Sequence, residues 1–231
     1  MPDLDFVVEG AEVALHSVSP LLLFKLRVTN THASTHASTN TREEIASLAL
    51  HCQIQIEATR RGYEPADQAR LAELFGGPQR WSQTLRTLLW THANAAVASF
   101  TDTCTIDLPV PCTFDFNVAA SKYFNALEGG EIPLMLQFSG TIFYRESDGT
   151  LQVSRVPWHK EAAFRLPVAT WRAMRDYYYP NSAWLCVQRD VFERLERYRI
   201  ERGLTGWDDA LAALLDDAGS EQAAPVSGGM P

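Results

Sequence analysis

Histidine and cysteine side chains are the residues of this sequence that offer the most direct chemistry. Imidazole nitrogens and thiolates are the ligands that zinc and related metals prefer in proteins. A metal-handling or hydrolytic protein would draw on four such residues: His92, Cys104, Cys112 and His159. His159 stands two positions before Glu161, so on a strand both would lie on one face, where the carboxylate can orient the imidazole as a general base. A solvated strand face gives the same pattern, and no motif spacing ties the four residues together.

The motifs that identify common enzymes are missing from the sequence. It contains no G-x-S-x-G elbow, no G-x-x-x-x-G-K-S/T phosphate loop, no H-E-x-x-H zinc motif and no G-x-G-x-x-G dinucleotide loop. His32 and His36, in the duplicated Thr-His-Ala-Ser of residues 31–40, have no third ligand nearby. The sequence therefore favours a non-catalytic protein without a cofactor, although it leaves enzymatic activity open.

The cysteines indicate a reducing compartment. No two of them form a C-x-x-C pair, and no basic segment followed by an apolar one stands at the start of the sequence. We therefore expect free thiols in a cytoplasmic protein. No stretch of 18 apolar residues occurs, so a membrane span is not expected.

A cluster of aromatic residues follows residue 170. Three tyrosines are consecutive, and Pro180-Asn181 then turns the chain toward Trp184. Consecutive residues cannot all face one way on a helix or a strand, so at least one tyrosine is expected at the surface or in a cleft. Aromatics that attach helices to a sheet give this pattern, and so do a protein-recognition surface and a sugar- or cofactor-stacking site. The predicted partner-binding surface comprises Tyr177, Tyr178, Tyr179, Asn181 and Trp184.

The first two thirds of the chain are predicted to form strands, and these strands must position the candidate residues of that region. Residues 46–56 place small or apolar side chains at every second position, and residues 22–28 alternate in the same way. Ser147-Asp148-Gly149 is typical of a hairpin turn, and Pro109 and Pro111 indicate an edge or bent strand within residues 106–116. These signals predict an antiparallel, β-sandwich-like body over residues 1–169, with a flexible loop at 31–40 and a short helix at 65–75.

After residue 170 the apolar spacing becomes helical. Helices with apolar faces are predicted to be capped at Thr170, Asp190 and Thr205. The fold class is therefore α+β, with C-terminal helices at 170–217 packed on the body and a disordered tail at 218–231.

Charge is distributed unevenly along the chain. There are 28 acidic and 20 basic residues, which gives a net charge of −8. Residues 203–231 contain five acids and no base, so the first 202 residues carry only −3. No basic stripe is present that would bind phosphates, so nucleic acid is not expected as a partner. The acidic end of the chain is suited either to fold against the charged helix at residues 189–202 or to attract a basic partner.

Two stretches, residues 112–144 and 156–187, resemble an uncharacterised bacterial family found in gene neighbourhoods of uptake nickel–iron hydrogenases, chiefly of the actinobacterial type. The most specific residues are Phe138-Ser139-Gly140-Thr141, Tyr178-Tyr179-Pro180-Asn181 and Trp184. The resemblance implies an accessory or maturation role, and the family supplies no established catalytic residues.

Three functions stay open at this point. The first is a non-catalytic accessory protein that binds another protein, such as a hydrogenase subunit or maturation factor. The second is a metal-handling or hydrolytic protein that uses the Cys/His set named above. The third is a small-molecule binding module with a tryptophan-lined pocket between the sandwich and the helices.

Overall fold

The structure is a computed structural model, and it describes residues 2–31, 43–113, 118–146, 148–182 and 185–223, with side chains up to residue 218. The chain divides into two compact units, Met1–Ser182 and Ala183–Pro231. The predicted flexible loop lies outside the described residues except for Thr31. The last helix continues to Ala223, into the range predicted as a tail, and the residues from 224 onward lie outside the described part.

The first unit is built on two antiparallel sheets. The smaller sheet has the strand order β1-β2-β5, and the larger has β4-β3-β6-β7 with β8 also paired to β6. β8 pairs with residues 131–137 of β6 and β7 with residues 141–145, so these two short strands continue one another along the same side of β6. The strands are β1 (Leu4–Val13), β2 (Leu21–Asn30), β3 (Glu44–Ile56), β4 (Leu88–Val97), β5 (Thr103–Pro111), β6 (Glu131–Arg145), β7 (Leu151–Arg155) and β8 (Glu161–Pro167).

Helices follow or interrupt the strands. They are α1 (Pro65–Phe75), α2 (Trp81–Thr84), α3 (Val118–Ala126), α4 (Val168–Tyr178), α5 (Arg189–Glu201) and α6 (Trp207–Ala223), with short 3₁₀ turns at Ala58–Arg60 and Pro78–Arg80. The predicted α+β class with a sheet-rich body is confirmed, and α1 covers the residues over which the sequence predicts a helix. The capping predictions at Thr170 and Asp190 are wrong, because α4 and α5 begin after Pro167 and Gln188 and neither has a side-chain cap. Within the described residues, no helix has the length and apolar character needed to cross a membrane.

The central strand β3 shows how the sequence pattern produces the sheet. Its inward positions Leu48, Leu50 and Cys52 are almost fully buried, as the alternation predicts. At the start of the strand the register to β6 shifts between Ile45 and Ser47. The alternation predicts that Ala46 faces the core, but Ile45 is the buried residue. The irregularity explains the difference, because an extra residue in a strand changes which side chains face the core.

The core between the sheets is closed by aromatic contacts. Phe6 of β1 stacks on Phe138 of β6 with ring centroids 4.3 Å apart. Trp171 of α4 packs on Phe124 of α3 at 4.4 Å and on Trp90 of β4 at 6.1 Å. These rings are all buried, so α3 and α4 complete the same core as the strands.

A buried ion pair connects α1 to the loop that precedes β6. The side chains of Arg61 and Asp67 are 11% and 4% exposed, and Nη2 of Arg61 lies 3.5 Å from Oδ2 of Asp67. The other oxygen of Asp67 accepts a 3.1 Å hydrogen bond from the backbone N–H of Glu128. Arg61 also donates to the carbonyl oxygens of Glu131 and Gly129, at 3.1 and 3.2 Å. Each charge is therefore paired and satisfied, as burial requires.

Candidate functional site

The outer face of the larger sheet carries a continuous group of uncharged polar side chains. On β3, Cys52 points into the core, so the flanking residues His51 and Gln53 point outward. The register places Asn94 of β4 and Ser139 of β6 on either side of His51. One step along the strands, His92 and Gln137 flank Gln53 in the same way. Three strands thus bring two rows of polar side chains together.

These rows line an open pocket with a volume of about 500 Å³, which we call the sheet-face pocket. Its volume falls in the range of small-molecule binding sites, and its lining contains no Asp, Glu, Lys or Arg. A shallower depression of about 280 Å³ adjoins it, shares His51 and Asn94, and continues over Ala49 and Ala96. The lining residues of the pocket are His51, Cys52, Gln53, His92, Asn94, Gln137, Phe138, Ser139 and Trp158.

Hydrogen bonds orient the polar side chains of the sheet-face pocket. His51 Nδ1 lies 2.6 Å from Oδ1 of Asn94, and because that oxygen accepts, the imidazole N–H donates. Gln137 Oε1 accepts from the amides of Gln53 and Gln55, at 3.4 and 3.3 Å. The carboxamide contacts are long and therefore weak, so a ligand with better-placed hydroxyl or amide groups can replace them at little cost.

Trp158 forms one wall of the pocket and is 92% exposed. It lies on the turn between β7 and β8, which is attached to β6 at both ends. Val156 donates its backbone N–H to the carbonyl oxygen of Gly140 at 3.1 Å, and the carbonyl oxygen of Lys160 accepts from Phe138 at 2.9 Å. Within the turn, Lys160 donates to the carbonyl oxygen of Pro157 at 3.1 Å. The indole is thus presented to solvent from a well-anchored backbone.

The side chain of Lys160 anchors the same turn to β1 of the smaller sheet. Its ammonium lies 2.9 Å from a carboxylate oxygen of Asp3 and 3.0 Å from one of Asp5. The hydrogen bond from Lys160 lowers the pKa of Asp3. Burial alone would lower the pKa of Lys160, but the two carboxylates more than offset this effect, and the pKa is raised. The ammonium of Lys160 is the charged group nearest to Trp158 in the sequence. Because it is paired with Asp3 and Asp5, it does not line the pocket.

The row Ser139–His51–Asn94 has the residue types of a nucleophile, a base and an orienting group. Of these contacts, only the hydrogen bond between His51 and Asn94 is formed. Among the described residues, no hydrogen bond joins Ser139 to His51. An acyl-transfer site also needs paired N–H donors for the oxyanion. Here the strand amides around Ser139 are engaged in the sheet, as shown by the bond from Phe138 to Lys160. The geometry suits binding better than nucleophilic catalysis.

The structure does not bring the four residues of the Cys/His set together. His92 lines the sheet-face pocket, and the ring of His159 contacts Trp158 edge-on at 5.9 Å. Cys104 and Cys112 belong to the other sheet, eight positions apart along β5 and its end, which is roughly 26 Å of extended chain. Burial raises the pKa of both thiols, so both stay protonated and are poor ligands. In the described part of the chain, no group of three or more His, Cys, Asp or Glu residues is placed to hold a metal ion.

The predicted tyrosine surface is only partly accessible. Tyr177 is 47% exposed and contacts Tyr178 edge-on at 5.0 Å. Tyr178 donates to the carbonyl oxygen of Ala14, and both Tyr178 and Tyr179 pack against the core. Asn181 is exposed in a left-handed turn conformation (φ 54°), and Trp184 lies outside the described residues. Two of the three tyrosines therefore attach α4 to the body, and Tyr177 is the exposed one.

The second unit has a different character, because its helices α5 and α6 leave most of their apolar side chains exposed. Phe192 packs on Trp207 at 5.1 Å, and Arg199 covers the same indole at 4.7 Å. Over the described residues 185–218 of this unit, Ala210 alone is buried. More than a third of the surface of eight apolar residues is exposed: Leu185, Val187, Val191, Phe192, Ile200, Trp207, Leu214 and Leu215. We call this group the α5–α6 apolar surface, and it includes Leu185 and Val187 just before α5.

The sequence shows the outward residues of β3 but not the pocket that they form. His51 and Gln53 are visible as the polar half of the alternation in residues 46–56. Their assembly with His92, Asn94 and Gln137 depends on strand order and register, because β4 and β6 come from distant parts of the chain. The sequence shows that one face of the central strand is polar. It does not indicate which residues of the neighbouring strands complete the pocket.

Comparisons with known proteins show a family without an assigned function. A family model described as "Family of unknown function (DUF6084)" matches residues 1–223. No curated protein matches the chain. A solved structure assigned to the ApaA protein of Bordetella pertussis covers 71% of this chain and 93% of its own, at 12% identity and a TM-score of 0.22.

Proposed function

The chain belongs to the family of unknown function DUF6084, and we propose that it is a non-catalytic, cytoplasmic accessory protein that binds another protein through the α5–α6 apolar surface. The exposure of this surface carries the proposal. The four free cysteines fit a reducing compartment.

The α5–α6 pair has too small a core to be stable without a covering surface. α5 spans 13 residues and contains no buried residue, and α6 spans 17 residues. Isolated helices of about 12–15 residues are marginal in water, and most helix stability in proteins comes from packing an apolar face. Clustered apolar side chains on a folded protein mark interaction sites. The prediction that these helices pack on the body stays a prediction, and the experiment below separates it from partner binding.

The acidic residues of α6 favour a partner with basic groups at the edge that contacts this helix. α6 carries Asp208 and Asp209 in its first turn and Asp216 and Asp217 in its third turn. Asp217 is used internally, since Arg202 donates to it at 2.8 Å and Tyr198 at 3.2 Å. The residues after 202 otherwise contribute acids without any base. Rim charges of this kind guide the choice of partner and the rate of association.

The identity of the partner follows from the resemblance, which supports a subunit of an uptake nickel–iron hydrogenase or one of its maturation factors. The proposed role is therefore in assembly or maturation of that enzyme. A metal-handling role is not favoured, because the Cys/His set is scattered over both sheets.

The test is quantitative co-purification of the full-length tagged chain from an actinobacterial host that expresses the hydrogenase. Leu215 is 73% exposed, so Leu215→Ser removes an apolar contact without opening a core. We expect recovery of hydrogenase subunits or maturation factors to fall about tenfold, as for loss of an interface contact worth about 1.4 kcal/mol. The matched control is Leu151→Ser on β7, which is 52% exposed in the first unit and should leave recovery unchanged.

Two results would count against this assignment. If Leu215→Ser lowers the free energy of unfolding substantially and leaves partner recovery intact, the surface is covered by the chain itself. If Tyr177→Ala, and not Leu215→Ser, abolishes recovery, the contact surface is the tyrosine surface predicted from the sequence.

A further inference from the structure

We propose that the sheet-face pocket binds a neutral, polyhydroxylated ligand of the saccharide class, with Trp158 stacking on the sugar ring and the carboxamide and imidazole groups holding its hydroxyls. This inference is independent of the protein-binding role, since it concerns another surface.

The uncharged lining selects the ligand class. A phosphorylated or carboxylated ligand needs a cation or a helix N-terminus to replace its hydration. The lining of the pocket has neither, and the ammonium of Lys160 is engaged with Asp3 and Asp5. Side-chain amides and imidazoles each offer donors and acceptors, which matches hydroxyl groups, because a hydroxyl both donates and accepts. The ligand that fits is therefore neutral and rich in hydroxyls.

The bonding state of the polar groups leaves capacity for a ligand. His51 uses Nδ1 on Asn94, so its Nε2 is the acceptor that remains for a ligand hydroxyl. Gln137 receives its two contacts on Oε1, and within the described residues its amide nitrogen donates to no protein acceptor. The arrangement is fixed by three strands of one sheet, so little ordering is needed upon binding.

Trp158 supplies the apolar contact that such a ligand needs. The C–H groups of one side of a pyranose ring form a flat apolar surface, and an indole face can cover it. Trp158 is almost fully exposed, although the turn that carries it is hydrogen-bonded to β6 through Val156 and Lys160. The adjoining depression over Ala49 and Ala96 has small side chains and shares two pocket residues, which leaves room for a second sugar unit.

The test is a titration of the full-length protein with neutral disaccharides (cellobiose, maltose, trehalose and N,N′-diacetylchitobiose), followed by NMR of the indole N–H signals. Trp158→Ala identifies the Trp158 signal by its loss. We expect at least one disaccharide to shift that signal in a saturable way at millimolar concentrations. Trp158→Ala and Gln137→Ala, measured by calorimetry, should weaken binding about tenfold, as loss of a contact worth 1.4 kcal/mol does. Val153→Ala, an exposed change on the outer face of β7, should leave binding unchanged.

Several outcomes would overturn the proposal. One is the absence of any saturable shift with all four disaccharides. Another is a shift that Gln137→Ala leaves intact. Glucose 6-phosphate binding more tightly than glucose would show that the pocket selects an anion. Saturable binding of adenosine without any sugar binding would assign the indole to base stacking.

Discussion

Substitution of Gly140 by alanine is expected to destabilise the protein strongly. Gly140 lies at the point where β6 changes its pairing from β8 to β7, and its carbonyl oxygen accepts the hydrogen bond from Val156 that starts the Trp158 turn. A Cβ at this position would lie 2.1 Å from the carbonyl oxygen of Ala49 and 3.2 Å from two further backbone atoms of β3. These contacts are with backbone atoms of the central strand, so no flexible side chain can move aside.

The magnitude follows from two costs. Separating Cβ from the Ala49 oxygen to an ordinary contact needs a shift of more than 1 Å in a strand paired on both sides, and overpacking of this kind typically costs about 1–3 kcal/mol. The φ of Gly140 is +154°, which L residues rarely adopt, and holding a residue in such a region adds about 1–3 kcal/mol. The expected loss is therefore about 2–6 kcal/mol, a large part of the 5–15 kcal/mol typical of a domain.

Urea denaturation, monitored by tryptophan fluorescence, measures this loss against a matched control. Gly10 also lies at a strand irregularity, in β1, but a Cβ there would meet nothing within 4 Å. Gly10→Ala should change the free energy of unfolding by less than about 1 kcal/mol. If the two variants unfold at the same urea concentration, the reasoning from backbone contact at Gly140 is refuted.

Three further predictions concern charges and thiols. Asp67→Ala leaves Arg61 buried without its counterion and should lower the free energy of unfolding, measured in urea, by about 3–5 kcal/mol. Asp107→Ala removes an exposed carboxylate and should change this free energy little. Equal effects of the two substitutions would contradict the account. Because Lys160 lowers the pKa of Asp3 from 3.8, the ion pair stabilises the fold above that pH, and its contribution is lost as the pH falls through the lowered pKa. The difference in Tm between the wild type and Asp3→Asn should therefore shrink between pH 6 and about pH 3, and a constant difference would show that the pair does not titrate. Burial raises the pKa of Cys52 to about 12, so in the native protein Ellman's reagent should react first with the exposed Cys186. Cys186→Ser should remove the fast phase, and its survival would show that another thiol is accessible.

The strand pattern of the body could be predicted from local alternation, because burial on one sheet face imposes a period of two. This explains why the burial of Leu48, Leu50 and Cys52 agrees with prediction. The burial of Ile45 in place of Ala46 could not be predicted, because the bulge that causes it depends on how β3 pairs with β6. The local sequence pattern does not predict α3, because the burial of its Tyr123 and Phe124 depends on packing against residues that are far away in the sequence.

The candidate sites could be predicted only in part, for a related reason. The tyrosine run indicates that one ring should be exposed, but the sequence does not say that the exposed ring is Tyr177. The Cys/His set is a matter of residue type alone. The structure places His92 on the larger sheet, His159 on the turn before β8, and Cys104 and Cys112 on or just after β5 of the smaller sheet. The sheet-face pocket combines residues from β3, β4 and β6, so it exists only once the register is fixed.

The most direct test of the central proposal is the amount of hydrogenase subunit or maturation factor that co-purifies with the full-length chain. The account predicts that Leu215→Ser lowers this amount about tenfold relative to wild type, while Leu151→Ser leaves it unchanged. Equal recovery with all three proteins, or recovery of none of these partners with the wild type, would contradict it.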